Sequence, residues 1–304
     1  MIELLVCQGN DLFNMLPKLI HVSKLLYTEN VEHPFLFYDK AILFITAYLC
    51  RMETGKDFLL QFLEPGPALA PFVENIGRFE NHGDKTREVV VLPDGRIDLF
   101  FWRNGKGPFQ VLLMGLETAP EQRYVLPETK AFVISFKPLA VEYILRMQIA
   151  CLLDTAQNLP VDFWDFNENI LDDFDTFVAK AVHKVSALSP AEIDSRKLKL
   201  FEHIYASNGE LTVAKLAAEV GWSSRQINRY FNQHLGLSLK AYCNILRFRA
   251  SLPHIAQGKL FPQLNFTDQA YFIKAVKKFA GVPPKELSRN QNDRFLLLSL
   301  LKPS

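Results

Sequence analysis

The stretch Leu211–Gly236, LTVAKLAAEVGWSSRQINRYFNQHLG, decides how the chain is interpreted. Apolar residues recur at helical spacing on both sides of Gly221, which predicts two short helices joined by a tight turn. Thr212 is placed to cap the first helix, and the glycine suits a left-handed C-terminal cap. Ser223 and Gln226 have capping-box spacing at the start of the second helix.

The second helix has two different faces. Its back is apolar, with Ile227, Tyr230 and Phe231. Its front carries polar side chains at positions i, i+3, i+4 and i+7, namely Arg225, Asn228, Arg229 and Asn232. Arginine and asparagine can pair with guanine and adenine edges through two hydrogen bonds, so this pattern predicts the recognition helix of a helix-turn-helix. The alternative is any amphipathic helix pair with a solvated basic face.

The net charge of +1 conceals an asymmetry along the chain. From Arg196 to Arg294 there are 16 lysines and arginines against 6 aspartates and glutamates, a net charge of +10. The part that precedes this region has a net charge of −10. A basic C-terminal third on an acidic body indicates a polyanion-binding module, and the helix pair favours DNA as the polyanion.

Length and composition restrict the class of protein. A chain of 304 residues with 49% hydrophobic content can form two domains. No apolar run reaches the roughly 20 residues that span a bilayer, and the N-terminus lacks the basic start of a signal peptide. The four cysteines are far apart and show no zinc-binding spacing, so we expect reduced thiols in a cytoplasmic protein without metal or cofactor.

The patterns predict an α+β chain. We expect a β-rich N-terminal domain followed by an all-α C-terminal domain with two helix-turn-helix units joined by a long helix. The expected parts are residues 1–51 as an extension, 52–150 as a β-rich sensing or dimerisation domain, 151–188 as a helical acidic linker, 189–290 as the DNA-binding domain and 291–304 as a tail. The extension is either peculiar to this chain or an upstream in-frame segment before Met52.

Local signals predict several element boundaries. Pro93-Asp94-Gly95 is a hairpin signal between the runs Glu88–Leu92 and Ile97–Trp102. Helices are expected from Pro138 to about Leu153 and from Ser189-Pro190 to Ser207. A long helix begins at Ser238, and Pro253 should kink or end it.

The acidic segment Val161–Thr176 alternates carboxylates with apolar residues. A solvated amphipathic helix face explains this pattern, while an acidic partner-binding surface or a dimer contact are the alternatives.

A second stretch, Phe266–Gly281, repeats the arrangement of the first recognition helix. It has a polar front, an aromatic-bearing back and a glycine stop, with Thr267 placed as the cap. A rough internal repeat of a DNA-reading unit, linked by one long helix, is much less probable by chance than a single copy.

The C-terminal third resembles the AraC/XylS family of bacterial transcription regulators. The stretches that carry the resemblance are LAAEVGWSSRQINRYFNQHLGLSLKAY, ILRFRASL and FTDQAYFIKAVKKFAGVPPKEL. In addition, VVVLPDGRIDLFF and FVISFKPLA resemble the β-rich domain of one subgroup. The resemblance implies two helix-turn-helix units joined by a long helix. It also implies that bases are read in one major groove by Arg225, Asn228 and Arg229, with Gln269, Ala270 and Lys274 at the corresponding positions of the second unit.

The second unit departs from the family pattern. Ahead of its turn the family has a helix of the Ile-Ala-x-x-x-Gly kind, whereas this chain has GKLFPQLNF, with Pro262 inside and Asn265 where glycine is expected. We expect a short positioning helix and a weaker second reader, because Ala270 also removes a polar base contact.

We therefore expect a sequence-specific DNA-binding transcription regulator that is not an enzyme. Base reading is assigned to Arg225, Asn228, Arg229, Gln269 and Lys274, and phosphate contacts to Ser224, Lys240, Arg247, Lys277 and Lys278. The expected partner is double-stranded DNA, with a small-molecule effector of unassigned identity, a second copy of the chain and RNA polymerase as further candidates, and no membrane. The alternatives are a DNA-acting enzyme and a protein-interaction scaffold that uses the same helices.

Overall fold

The structure is a computed structural model that describes residues 50–54, 57–261, 266, 268–299 and 301. Within this part of the chain, a β-rich N-terminal region is followed by a helical C-terminal region, as the sequence predicts. The strands are β1 Cys50–Thr54, β2 Phe58–Leu63, β3 Val73–Asn81, β4 Arg87–Val91, β5 Ile97–Asn104, β6 Gln110–Met114, β7 Glu121–Val125, β8 Thr129–Phe136 and β9 Ala156–Leu159. The helices are α1 Phe174–Leu188, α2 Ser195–Ala206, α3 Val213–Val220, α4 Ser224–Leu235, α5 Leu239–Ala256, α6 Gln269–Ala280, α7 Pro284–Arg289 and α8 Leu296–Ser299.

Seven of the strands described form one sheet in the order β1-β2-β3-β8-β5-β6-β9, and β4 pairs with β7 in a separate two-stranded sheet. All of these pairings are antiparallel. The expected extension, residues 1–51, lies almost entirely outside the described residues, and β1 crosses its expected end. None of the helices in the described part of the chain has the length and apolar character that crossing a bilayer requires.

The segment after residue 150 packs onto the sheet. Phe101 and Phe132 on neighbouring strands contact a cluster of rings from this segment, with ring centroids 4.9–5.5 Å apart for Phe166, Phe174 and Phe177. β9 pairs with β6. Residues 151–188 therefore pack against the sheet, because their aromatic side chains find their burial there, and the segment ends in the helix Phe174–Leu188. The division of the chain into domains at residues 150 and 188 stays a prediction.

The carboxylates of this acidic layer face outward. Asp162, Glu168 and Asp172 are exposed, whereas the apolar residues between them, such as Ile170 and Leu171, are buried. Exposed carboxylates and buried apolar residues are what a solvated amphipathic face predicts. A partner-binding or dimer surface here stays a hypothesis.

The hairpin predicted around Pro93-Asp94-Gly95 is wrong. β4 and β5 do not pair with each other; β4 pairs with β7, and β5 lies between β6 and β8. The turn residues have other partners, since Asp94 accepts the backbone N–H of Arg96 at 3.0 Å and the Gly95 carbonyl accepts the Tyr242 hydroxyl of α5 at 3.2 Å. Pro93-Asp94-Gly95 therefore forms a turn, but this turn contacts α5 of the helical domain and does not join two paired strands.

Three helix boundaries also differ from the predictions. The segment after Pro138 forms a π-helical turn and a separate 3-10 turn, because Arg146 is left-handed (φ 51°) and redirects the chain so that both pieces bury apolar residues. Ser189 does not start a helix, because its hydroxyl donates to the Val185 carbonyl at the end of α1, and Asp194 caps α2 instead.

Pro253 does not end α5, which continues to Ala256, and the alternative of a kink at this proline stays a prediction. Leu252 and Ile255 flank the proline and are fully buried. Their burial stabilises the last turn by an amount comparable to the cost of about 3 kcal/mol for an internal proline.

Candidate nucleic-acid interface

The predicted caps of the first helix-turn-helix are confirmed. The Thr212 side chain accepts the backbone N–H of Lys215 at the start of α3, and Gly221 is left-handed with φ 68° at its end. At the start of α4, the Ser223 backbone N–H donates to Gln226 Oε1 at 2.8 Å and the Gln226 N–H donates to Ser223 Oγ at 3.2 Å. This capping box fixes where α4 begins.

The apolar back of α4 forms part of the core. Ile227, Phe231 and Leu235 are fully buried, and the ring of Phe231 lies 5.7 Å from Phe201 of α2 and 5.5 Å from Tyr242 of α5, between ring centroids. α4 is therefore held on its back by the helices before and after it, which leaves the opposite face for a ligand.

The front of α4 brings the predicted base-reading residues to one surface. Arg225 and Arg229 are exposed and Asn228 is half-buried. The Asn228 Nδ2 donates to the Ser224 carbonyl at 3.0 Å, and the Asn232 Nδ2 donates to the Asn228 carbonyl at 2.9 Å. These bonds stay within the helix and use one of the two N–H protons of each amide, so each asparagine keeps a second N–H proton and its Oδ1 with which it can pair with a base.

The second candidate reader, α6, has the same construction. Asp268 is its N-cap and accepts the Tyr271 N–H at 2.8 Å, and Gly281 closes it with φ 73°. The predicted cap Thr267 lies outside the described residues, as do Pro262 and Asn265 of the positioning segment. Gln269 and Lys274 are exposed on the surface of this helix.

The long helix α5 lies between α4 and α6, the two candidate reading helices. It has 18 residues, about 27 Å at 1.5 Å per residue. Its Tyr242 packs against α4, and its Phe248 lies 5.2 Å from Phe279 of α6 between ring centroids. α5 thus sets the spacing between α4 and α6.

Four of the five predicted phosphate-contacting residues are exposed: Ser224, Lys240, Lys277 and Lys278. The fifth, Arg247, is half-buried, and its Nη2 donates to the Gly209 carbonyl at 3.0 Å. Part of its guanidinium is therefore committed to holding the α2–α3 connection on α5.

A charge cluster connects the β-rich domain to α5, and sequence reasoning missed it; its Arg96 is buried, whereas Glu74, Lys137 and Arg249 are half-buried. The Glu74 carboxylate pairs with Arg96 at 2.7 Å, with Lys137 at 3.3 Å and with Arg249 of α5. Burial alone would raise the pKa of Glu74, but the charges of these three cations bring it well below its usual range. One signal in the sequence could have indicated this cluster. Arg96 lies between a turn and an apolar strand, and an arginine that is buried there needs a carboxylate as partner.

A cavity of about 530 Å³ lies beside this cluster, between the two domains. Its wall includes Glu74, Arg96, Lys137, Tyr205, Leu246, Arg249 and Leu297. Three cations, Arg96, Lys137 and Arg249, and two carboxylates, Glu64 and Glu74, give the whole lining a formal net charge of +1.

Two buried carboxyl groups lie elsewhere in the β-rich domain. Burial raises the pKa of Asp98 to about 7 and that of Glu117 to about 8. One oxygen of each, Asp98 Oδ1 and Glu117 Oε1, has no hydrogen-bond partner. The described residues contain no group of histidine, cysteine and carboxylate side chains that could hold a metal ion.

Comparison with known proteins adds two domain matches. A family model described as a helix-turn-helix domain matches residues 216–290, and a domain of unknown function, DUF6597, matches residues 61–158. No curated protein matches the chain.

Among solved structures, the chain is similar to ToxT from Vibrio cholerae. One ToxT crystal structure has 13% sequence identity and a TM-score of 0.39, over 72% of this chain and 98% of that chain. ToxT bound to (E)-4-(8-methylnaphthalen-1-yl)but-3-enoic acid has 14% identity and a TM-score of 0.38, over 81% and 100%. ToxT with a bound unsaturated fatty acid has 15% identity and a TM-score of 0.36, over 77% and 95%.

Proposed function

We propose that this chain is a DNA-binding transcription regulator of the AraC type that reads its operator mainly with α4; the helix-turn-helix family model that matches residues 216–290 supports the proposal. The observation that carries the proposal is the exposed row of Arg225, Asn228 and Arg229 on a helix that is capped at both ends and buried along its back. Each good bidentate base contact contributes about 1–3 kcal/mol of discrimination.

The second helix, α6, acts as the weaker reader through Gln269 and Lys274. The exposed Ser224, Lys240, Lys277 and Lys278 contact phosphates, which orient the protein without specifying sequence. Arg247 ranks last among the phosphate candidates, because its guanidinium already donates to the Gly209 carbonyl.

The test begins with selection of genome fragments by the purified full-length protein, followed by titration of the selected site and of random DNA. A specific regulator should prefer its site by about a thousandfold or more. Salt-sensitive binding without preference would contradict the proposal and leave the basic third as a polyanion anchor.

Two matched variants distinguish a residue that contacts bases from a residue that contacts phosphates. Arg225→Ala should weaken binding to the selected site about 5-fold to 150-fold and leave binding to random DNA nearly unchanged. Lys277→Ala should weaken both by the same factor and lower the slope of log K against log salt by about 1. Equal losses on both DNAs for Arg225→Ala would refute its assignment as a base reader.

The cavity between the domains favours a small-molecule effector as a further partner. Its volume lies in the range of ligand sites, and the positive wall around Lys137 suits an acidic compound. Because Arg249 of α5 contributes to that wall, an occupant would act on the helix that spaces the two readers. Thermal shift with a panel of carboxylic acids tests this, and Lys137→Met should remove any stabilisation that is found.

A homodimer and a contact with RNA polymerase are also part of the proposal. Sedimentation of the protein on its operator tests the first, and transcription in a purified system tests the second. The alternatives, a DNA-acting enzyme and a protein-interaction scaffold, predict turnover of the bound DNA or competition between DNA and a protein partner for Arg229.

A further inference from the structure

The two reading helices have the same frame. α4 and α6 each contain 12 residues, begin after a side-chain N-cap and end at a left-handed glycine. When the caps Ser223 and Asp268 are aligned, the closing residues Gly236 and Gly281 also coincide. Residues of α4 and α6 can therefore be compared position by position.

Exposure follows nearly the same order along both helices. The first three residues are exposed, the fourth is buried, the fifth is half-buried and the sixth is exposed in each. The front row of α4 is Arg225, Asn228, Arg229 and Asn232. The equivalent row of α6 is Ala270, Ile273, Lys274 and Lys277, in which only Ile273 is half-buried and the other three are exposed. Ile273 therefore corresponds to Asn228, and Gln269, which the resemblance placed among the corresponding positions, aligns with Ser224.

The chemistry of the two rows differs. Every front-row side chain of α4 carries polar atoms that can hydrogen-bond to a base, whereas the first two of α6, Ala270 and Ile273, have only apolar side-chain atoms. The apolar group that a base pair presents in the major groove is the C5-methyl of thymine, and alanine is among the side chains that contact it.

We infer that α6 reads thymine methyl groups through Ala270 and Ile273, while Lys274 and Lys277 supply the charge beside them. This inference rests on the proposed function, since it requires α6 to enter the major groove. The operator is then chemically asymmetric, with one half-site recognised through hydrogen bonds by α4 and the other through methyl contacts by α6.

The test replaces each thymine of the selected operator, one at a time, with deoxyuridine. This change removes the C5-methyl and keeps the Watson–Crick hydrogen bonds. Each methyl that α6 contacts should contribute about threefold to fivefold in affinity, the effect of burying one such group. Thymines in the other half-site should show less than a twofold effect.

Variants then connect the sensitive thymines to α6. In Ala270→Gly and in Ile273→Ala, which remove the apolar side-chain atoms beyond Cα and Cβ respectively, the loss caused by deoxyuridine at one thymine should shrink. Arg225→Ala should keep the full loss, because its change lies in the other reader. Circular dichroism of each free variant checks that the helical content is retained.

Two results would overturn the inference while the proposed function stands. One is a preferred operator in which deoxyuridine is tolerated at every position. The other is a methyl effect that stays undiminished in both α6 variants. If no DNA site is preferred over random DNA, the proposed function fails and this inference fails with it.

Discussion

Replacing Glu74 with glutamine tests whether the charge cluster holds the two domains together. The substitution keeps the size of the side chain and removes its charge. Arg96, whose side chain is only 2% exposed, then loses its closest carboxylate, and Lys137 and Arg249 lose their shared partner. Removing one member of a buried ion pair costs about 3–5 kcal/mol, because the other charge stays buried without compensation.

We expect Glu74→Gln to lower the free energy of unfolding by about 3 kcal/mol, at the lower end of that range. The buried Asp94 carboxylate remains close enough to interact with Arg96, and the glutamine oxygen can still accept one hydrogen bond. Urea denaturation at pH 7, followed by tryptophan fluorescence and by circular dichroism, measures this loss.

The pH dependence adds a second check on Glu74. The pKa of Glu74 is lowered in the folded protein, so its contribution to stability is present above its unfolded pKa of about 4.3 and is lost as the pH falls further. The difference in unfolding free energy between the wild type and Glu74→Gln should therefore be largest above pH about 5 and should narrow in acid.

The matched control is Glu286→Gln, which removes the ion pair between Glu286 and Arg294 at the surface, where the side chains are 53% and 34% exposed. Exposed pairs contribute about 0–1 kcal/mol, so this variant should unfold almost like the wild type. If Glu74→Gln costs no more than the control, the reasoning that burial makes this cluster stabilising is refuted.

The remaining predictions concern the caps of α3 and α4 and the carboxyl group of Asp98. Gly236→Ala and Gly221→Ala both place a side chain at positive φ, but a Cβ at Gly236 would lie 2.6 Å from the Ala150 carbonyl oxygen, whereas nothing lies within 4 Å at Gly221. Gly236→Ala should therefore lower the unfolding free energy by clearly more than the roughly 1–2 kcal/mol expected for Gly221→Ala, and equal losses in thermal denaturation would contradict a close interdomain contact. Ser223→Ala should cost about 1 kcal/mol by removing the α4 cap, with Ser186→Ala as the control outside any cap; no measurable loss would count against the capping box. Burial raises the pKa of Asp98 to about 7, so the folded state holds this proton more tightly than the unfolded state and stability should fall as the pH rises from about 4 to about 7. Asp98→Asn should flatten this slope in urea titrations, and an unchanged slope would refute the assignment.

The sequence was sufficient for the parts of the fold that depend on local chemistry. The caps Thr212 and Ser223, the left-handed Gly221 and the apolar back of α4 were all predicted correctly, because each depends on residues within about four positions along the chain. The β-rich character of the N-terminal domain was also readable from its short apolar runs and turn residues.

Strand pairing was not predictable in the same way. The hairpin signal at Pro93-Asp94-Gly95 was strong, but β4 found its partner in β7, which carries charged residues and gave no strand signal. The choice of partner depends on segments that are far apart in the chain, and no local pattern encodes it.

The sequence by itself determined the two capped helices α4 and α6 and the basic third that carries them, because helix periodicity, capping and charge are properties of contiguous residues. Only the tertiary structure decided which segments of the chain contact one another between the β-rich and helical domains and within the β-rich domain. It placed Glu74 between Arg96 of the β-rich domain and Arg249 of α5, and it joined residues 151–188 to the sheet. A buried charge needs an opposite charge or hydrogen bonds, and an aromatic side chain needs apolar neighbours. Several segments of the chain could meet either need, and which segment does so is decided by how the whole chain folds.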